Sequence, residues 1–337
     1  MGRPIRMIAA FALASLLFTP HAGAQQPTDG RVGNAYWHAD LYGGFLHSDA
    51  DNAIGFNIPN NGGPLRSANP EDFGFAGVTL GRQFSGAGPL KSAEAYFEAV
   101  FEEDDRVDTG NNYRFVSTKG NTLITTVGPP AFGTAERSRI EGGLHLRLGP
   151  AGEGERRDGW NWLLTGFGGE GKESTNREIP VDLGGGLGRP VNSTDLEFAY
   201  GGLMGGFEGR VPLSRTVTLR TSFQGGFAYY DADAHLSSAR GASPAAVAIV
   251  GLWEQERDDE SNHFGMRGRG RAELEKSLGS NIALSVFGLV DFWSSMPTLK
   301  NTGPFGAFTQ VEGQNVMELR AGARLRVKFG GTNQADY

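Results

Sequence analysis

Residues 316–329 read VMELRAGARLRVKF. Met317, Leu319, Ala321, Ala323, Leu325, Val327 and Phe329 share one face of an extended chain, and Glu318, Arg320, Gly322, Arg324, Arg326 and Lys328 share the other. Successive strand side chains point to opposite faces, so this strand is apolar on one side and charged on the other. In a soluble sandwich the charged side would meet water. In a transmembrane barrel it faces the lumen, and the apolar side meets lipid.

Within this stretch a polar residue, a glycine two positions on, two alternating hydrophobics and a final aromatic occur as Arg320, Gly322, Leu325, Val327 and Phe329. This ending resembles the closing strand of bacterial outer-membrane β-barrels, whose assembly signal has that order. In the family the aromatic is usually the last residue, whereas here GGTNQADY follows. Tyr337 is also terminal and aromatic, but no alternating run leads into it, so Phe329 is read as the strand end. The resemblance implies insertion into outer-membrane lipid and lipopolysaccharide by the barrel-assembly machinery, with help from periplasmic chaperones.

The other end of the chain agrees. Arg3 and Arg6 precede an apolar run over residues 8–18, and Ala22-Gly23-Ala24 is a small-x-small cleavage site. This is the pattern of a secretory leader cleaved before Gln25. The run is short of the roughly 20 apolar residues that a membrane helix needs. The expected division is a leader over 1–24, a periplasmic segment over 25–34, a barrel over 35–329 and a periplasmic tail over 330–337. Cysteine is absent, which removes disulfide and thiol chemistry. The net charge is −7, and loss of Arg3 and Arg6 leaves 29 basic against 38 acidic residues, or −9. That balance argues against a nucleic-acid partner.

Alternation predicts ten strands, over 35–47, 72–84, 92–102, 135–148, 160–171, 195–211, 216–230, 263–275, 281–293 and 316–329. Most match or slightly exceed the roughly 9–11 residues of a tilted membrane-spanning strand. Short connections such as SGAGPLK, PLSR and KSLGS alternate with long ones over 48–71, 103–134, 172–194, 231–262 and 294–315. Short periplasmic turns and long extracellular loops are the rule for outer-membrane barrels. The predicted fold is therefore all-β: a transmembrane antiparallel up-and-down β-barrel with both termini in the periplasm. Tyr113–Ser117 and 121–127 flank Lys119-Gly120 and read as a hairpin extending the third and fourth strands; if they span instead, the count is twelve. Aromatics at strand ends suggest interfacial girdles: Tyr36, Trp37, Trp160 and Trp162 at the periplasmic side, and Tyr229, Tyr230, Phe264, Phe292 and Trp293 at the outer side.

The inward faces carry the charge. Arg137, Arg139, Arg147, Arg267, Arg269, Arg271, Arg320, Arg324, Arg326 and Lys328 form a basic set, with Glu94, Glu98, Glu102, Glu141, Glu273, Glu275 and Glu318 as candidate partners. One reading is a structural ion-pair network, since buried charges are tolerated when paired and hydrogen-bonded. The other is a narrow channel for small solutes or ions, with arginine favouring anions. Eight-stranded barrels are filled and sixteen-stranded ones are open, so ten strands lie toward the filled end.

No catalytic residue, metal site or cofactor is assigned. The strand number resembles that of the omptin proteases, which use Asp pairs and an Asp–His pair at the outer rim. His47 with Asp49 and Asp51, His263 with Asp258 and Asp259, and His235 with Asp231 and Asp233 lie near that rim. A histidine beside carboxylates is the minimum for activating water, yet exposed loop residues explain all three groups. The glycines of 165–169 and 182–186 lack the Lys-Ser/Thr ending of a phosphate loop. The acidic runs Asp49-Ala50-Asp51, 102–105 and 254–260 match no calcium loop. Long outer loops also suit surface recognition. The apolar stretch AAVAIVGLW over 245–253 is expected to plug the lumen, lie on the membrane or contact a partner protein.

Overall fold

A computed structural model of the chain describes residues 35–50, 54–55, 67–68, 72–85, 88–108, 113–119, 122–128, 132–149, 159–178, 181–182, 187–188, 191–240, 257–302 and 308–330. The expected leader and periplasmic segment over 1–34, the C-terminal tail beyond Gly330 and the apolar stretch 245–253 lie outside the described residues. Ten long strands form one closed antiparallel barrel. They are β1 Tyr36–Ser48, β2 Asp72–Gln83, β3 Leu90–Asp108, β4 Phe132–Leu148 and β5 Gly159–Glu178. The ring continues with β6 Val191–Pro212, β7 Val217–Arg240, β8 Arg257–Ser277, β9 Ile282–Thr302 and β10 Phe308–Phe329. Each strand pairs with its neighbours in sequence, and β10 returns to β1 through Trp37 opposite Phe329 and Ser48 opposite Glu318.

The hairpin Tyr113–Lys119 with Thr122–Gly128 pairs only with itself, so the ring has ten strands and not twelve. One end of the barrel carries tight turns. After β6, for example, Leu213 N donates to Val217 O at 2.9 Å, and Ser214 Oγ accepts from Val217 N at 3.1 Å. The other end carries the long connections.

The closure fixes the dimensions. Registered partners lead from Tyr36 through Gln83, Ser92, Arg147, Leu163, Gly206, Gln224, Arg269, Asp291 and Glu318 back to Ser48. One circuit thus advances twelve residues along β1, from position 36 to position 48. Twelve rises of ~3.3 Å against ten inter-strand steps of ~4.8 Å give a strand tilt of about 40° and a backbone radius of about 10 Å.

Outside, the wall is apolar over a bounded height. On β7 Phe223, Phe227 and Tyr229 are exposed, and the outward positions then change to Asp231 and Asp233. Leu274 to Phe264 on β8 and Ile282 to Phe292 on β9 bound the same band. Ten residues at this tilt span about 25 Å, the height expected of a lipid-facing belt.

The strands overrun the predicted ends on the loop side. β7 continues to Arg240, β8 starts at Arg257, β9 runs to Thr302 and β10 begins at Phe308, in regions expected to be loop. Above the belt neither face needs to be apolar, so the backbone ladder continues after the alternation has ended.

Inside, side chains are accommodated by glycine. The Tyr42 ring lies over Gly77 and the Phe198 ring over Gly171, each where an added Cβ would collide with the ring. Bare backbone opposite an inward ring lets a narrow barrel hold aromatics.

The girdle assignment needs one correction. Tyr229, Phe264, Phe292, Trp160 and Trp162 are exposed, but Tyr230 and Trp293 are 0 % and 1 % exposed and point inward. Each follows an outward residue by one position, and parity puts it on the inner wall.

Candidate functional site

The lumen is the concentration of chemistry in this molecule, and it is organised in tiers. Toward the turn end, Asp40 on β1 accepts two hydrogen bonds from Arg326 on β10, both 2.8 Å, and lies 3.4 Å from Arg324. Arg220 donates to Glu275 at 2.8 Å, and Arg326 approaches Glu275 at 3.6 Å. Across the ring Arg147 donates to Glu208 at 3.0 Å and to Glu94, whose carboxylate also meets His38 Nε2 at 3.1 Å. Lys328 lies 5.0 Å from the Tyr36 ring centre at the mouth.

The second tier lies nearer the loop end. Asp291 on β9 accepts from Arg267 at 2.7 Å and from Arg269 at 2.5 Å, with Arg320 at 3.8 Å. Glu141 on β4 meets Arg267 at 2.9 Å and accepts from Tyr96 Oη at 2.8 Å and Tyr200 Oη at 3.1 Å. Arg139 makes a two-pronged pair with Glu318, both bonds 2.7 Å. Arg320 bridges Glu318 at 2.7 Å and Glu98. Two parallel N–H donors on a planar guanidinium match a carboxylate, so such pairs fix geometry as well as charge.

Above this tier sits an aromatic cap. Trp293, Tyr200, Tyr230, Phe198 and Phe167 pack with Leu196, Met204 and Val316. The Arg267 guanidinium lies 3.6 Å from the Trp293 ring centre and 4.4 Å from that of Phe167, which joins the cap to the ionic tier. Flat cations on aromatic faces are stabilised when water is excluded. Arg137 and Glu173 form a further pair at 3.5 Å near the cap.

Between the tiers lies a cavity of about 90 Å³. His145 stacks on Tyr96 at 4.5 Å on its wall, and His145 Nδ1 meets Thr165 Oγ1 at 2.7 Å. Arg271 pairs with Glu273 at 2.9 Å and lies 4.2 Å from the Phe287 ring centre. Ser285 Oγ donates to Glu273 at 2.6 Å, and Arg324 approaches Glu273 at 3.6 Å.

The structure therefore brings together the arginines and glutamates singled out by sequence, apart from Glu102, whose side chain lies outside the described residues. Sequence reasoning missed Asp40, Asp291, Glu208, Arg220 and His38. Strand parity was the signal available: Trp37, Ala39 and Leu41 face out, so His38 and Asp40 face in. Asp291 and Arg220 are lone inward charges in their predicted strands, and His38 with Asp40 and Glu208 with Arg210 make pairs at most, so none belongs to the longer charged runs that mark β4, β8 and β10.

The rim groups come out differently from their sequence neighbours. His47 Nδ1 pairs with Asp72 on β2 at 3.0 Å, not with Asp49, whose carboxylate accepts from Met317 N at 2.5 Å. His263 Nε2 meets Ser261 Oγ at 2.9 Å, while Asp259 accepts from Val311 N at 3.4 Å. His235 stands opposite Asp258 across the β7–β8 ladder. Thr165 to Gly169 is part of the β5 wall. Among the described residues no group of His, Asp and Glu has a metal-holding arrangement.

No family model matches the chain, and no curated protein does. Among solved structures the chain is similar to the outer membrane protease OmpT from Escherichia coli, at 10 % identity over 88 % of this chain and 97 % of that one, with a TM-score of 0.43. It is similar to the translocator domain of the autotransporter NalP from Neisseria meningitidis, at 11 % identity over 96 % and 95 % of the two chains, with a TM-score of 0.33. A Pseudomonas aeruginosa FadL homologue matches at 6 % identity over 88 % and 91 %, with a TM-score of 0.22. These likenesses are to outer-membrane β-barrel proteins and carry no residue's role across to this chain.

Proposed function

We propose that the chain is an integral outer-membrane barrel that works as a closed envelope scaffold and does not conduct solutes. The observation that carries this reading is the filled cross-section at the second tier. The side chains of Arg267 and Asp291 are both 0 % exposed, and Trp293 above them is 1 % exposed. Arginines that would favour anions in an open pore are here paired with carboxylates, most of them on other strands. The apolar belt of about 25 Å supports the membrane setting. On this reading the turn end is periplasmic and the loop end extracellular. Lipid and lipopolysaccharide surround the belt, and Arg320, Gly322, Leu325, Val327 and Phe329 form the assembly signal on the strand that completes the ring.

The test is planar-bilayer recording of the purified, folded protein. The expected result is a baseline without discrete single-channel events. Reproducible unitary steps in an anion or cation gradient would overturn the closed reading.

A second role is favoured by one further observation. On β7 the wall runs on from Asp231 to Arg240 above the belt, which at this tilt is about 25 Å of height. A stiff rim of that height suits surface recognition, in which loops on a rigid scaffold carry the contacts. Binding of cells that display the protein to host matrix or to other cells, compared with a rim-deleted variant, is the corresponding assay. Equal binding by both would remove this role.

A further inference from the structure

We infer that the cavity between the two ionic tiers is a binding site for a small inorganic oxyanion of the phosphate type, held as a structural counter-ion. The inference rests on the closed-lumen reading. Six arginines line the cavity against four glutamates. Four of those arginines, Arg220, Arg271, Arg320 and Arg324, have a buried Nε with no hydrogen-bond partner. Arg320 and Arg324 are 4 % and 8 % exposed. Several carboxylates that balance them, Asp40, Glu275 and Asp291, belong to the tiers above and below and do not line the cavity. Each of the six keeps a carboxylate within 4 Å, and over the two tiers together ten arginines meet nine carboxylates, so the cavity faces a surplus of buried donors and an excess of one positive charge.

Buried donors in folded proteins are satisfied, and unpartnered ones call for a missing acceptor. Water is one candidate, because about 90 Å³ exceeds what a single water requires. Water supplies acceptors but no charge. A tetrahedral oxyanion supplies both and matches guanidinium forks at several oxygens together. Thr79, Ser222 and Gln224 add neutral polar groups on the same wall. With the lumen filled above and below, the ion would be captured as the barrel closes, so the experiment must supply it during folding.

The full mature protein is refolded from urea into detergent at constant ionic strength, with inorganic phosphate varied against a gluconate background, and its melting is followed. The expected result is a saturable rise of several degrees in Tm for the wild type and loss of that rise in Arg271→Gln. A shift that grows without saturation, or that is equal in the variant, would overturn the site. Should Arg271→Gln fail to fold, phosphorus NMR of the wild type after removal of free phosphate decides independently. A retained, broadened resonance supports the site, and its absence shows water alone. Either outcome is separable from conductance, which reports on the closed reading itself.

Discussion

Asp291 is the acceptor on which the second tier converges. It sits alone among apolar neighbours in the strand segment Ile282 to Trp293, and parity alone turns it inward. Its partners Arg267 and Arg269 lie on the preceding strand, and Arg320 on the following one. Removing one member of a buried ion pair leaves the other uncompensated, at a cost of about 3–5 kcal/mol. Asp291→Asn keeps the size and removes the charge, so equilibrium urea unfolding in lipid vesicles should show a loss of that order. A loss under about 1 kcal/mol would mean that the tier is hydrated rather than sealed. Replacing Arg267 and Asp291 together should cost less than the sum of the single changes, since the pair then disappears as a unit.

At the scale of the element, β10 shows why the closing strand has a glycine among its inward charges. A Cβ on Gly322 would stand 2.5 Å from the Gly43 carbonyl oxygen and 2.8 Å from the Phe287 ring. The residue thus admits both the β1 backbone and an aromatic from β9 at the seam that completes the ring. Gly322→Val is expected to lower the yield of folded barrel severely, read as loss of the compact band on unheated gels. Ala321→Val on the exposed face of the same strand should fold normally. Normal folding of Gly322→Val would show that the seam has slack. The ten strands were legible because most of them alternate within the belt. Their extensions to Arg240 and from Arg257 were not, because outside the belt the backbone ladder is satisfied without any face being apolar.

For the whole molecule, the belt makes a depth-dependent prediction. Phe223 lies on the outer wall near mid-belt, and Asp233 lies beyond Tyr229 on the same strand and the same face. A cation facing lipid at the midplane costs about 2–4 kcal/mol, and near the interface about 0–1 kcal/mol. Phe223→Arg should therefore lower folding stability in bilayers by roughly the first amount and Asp233→Arg by roughly the second. Similar costs at both positions would place the membrane elsewhere on the barrel. Both variants should fold equally well in a detergent of adaptable thickness, which separates the membrane term from local packing.

The sequence by itself determined the wall: ten alternating strands with twelve as the alternative, the apolar face of most of them, and which end carries the short connections. A period of two with one face buried leaves no freedom in the orientation of a strand, since a slip by one residue would turn every side chain over. Only the tertiary structure decided what the wall encloses. The interior depends on strand number and shear together, and shear is a property of closure that no single strand displays. The twelve-residue advance around this ring brings Arg326 to Asp40 and Arg139 to Glu318, partners 286 and 179 residues apart in sequence. The charges of VMELRAGARLRVKF could be read from the chain; that they are spent on carboxylates across the lumen follows from its radius.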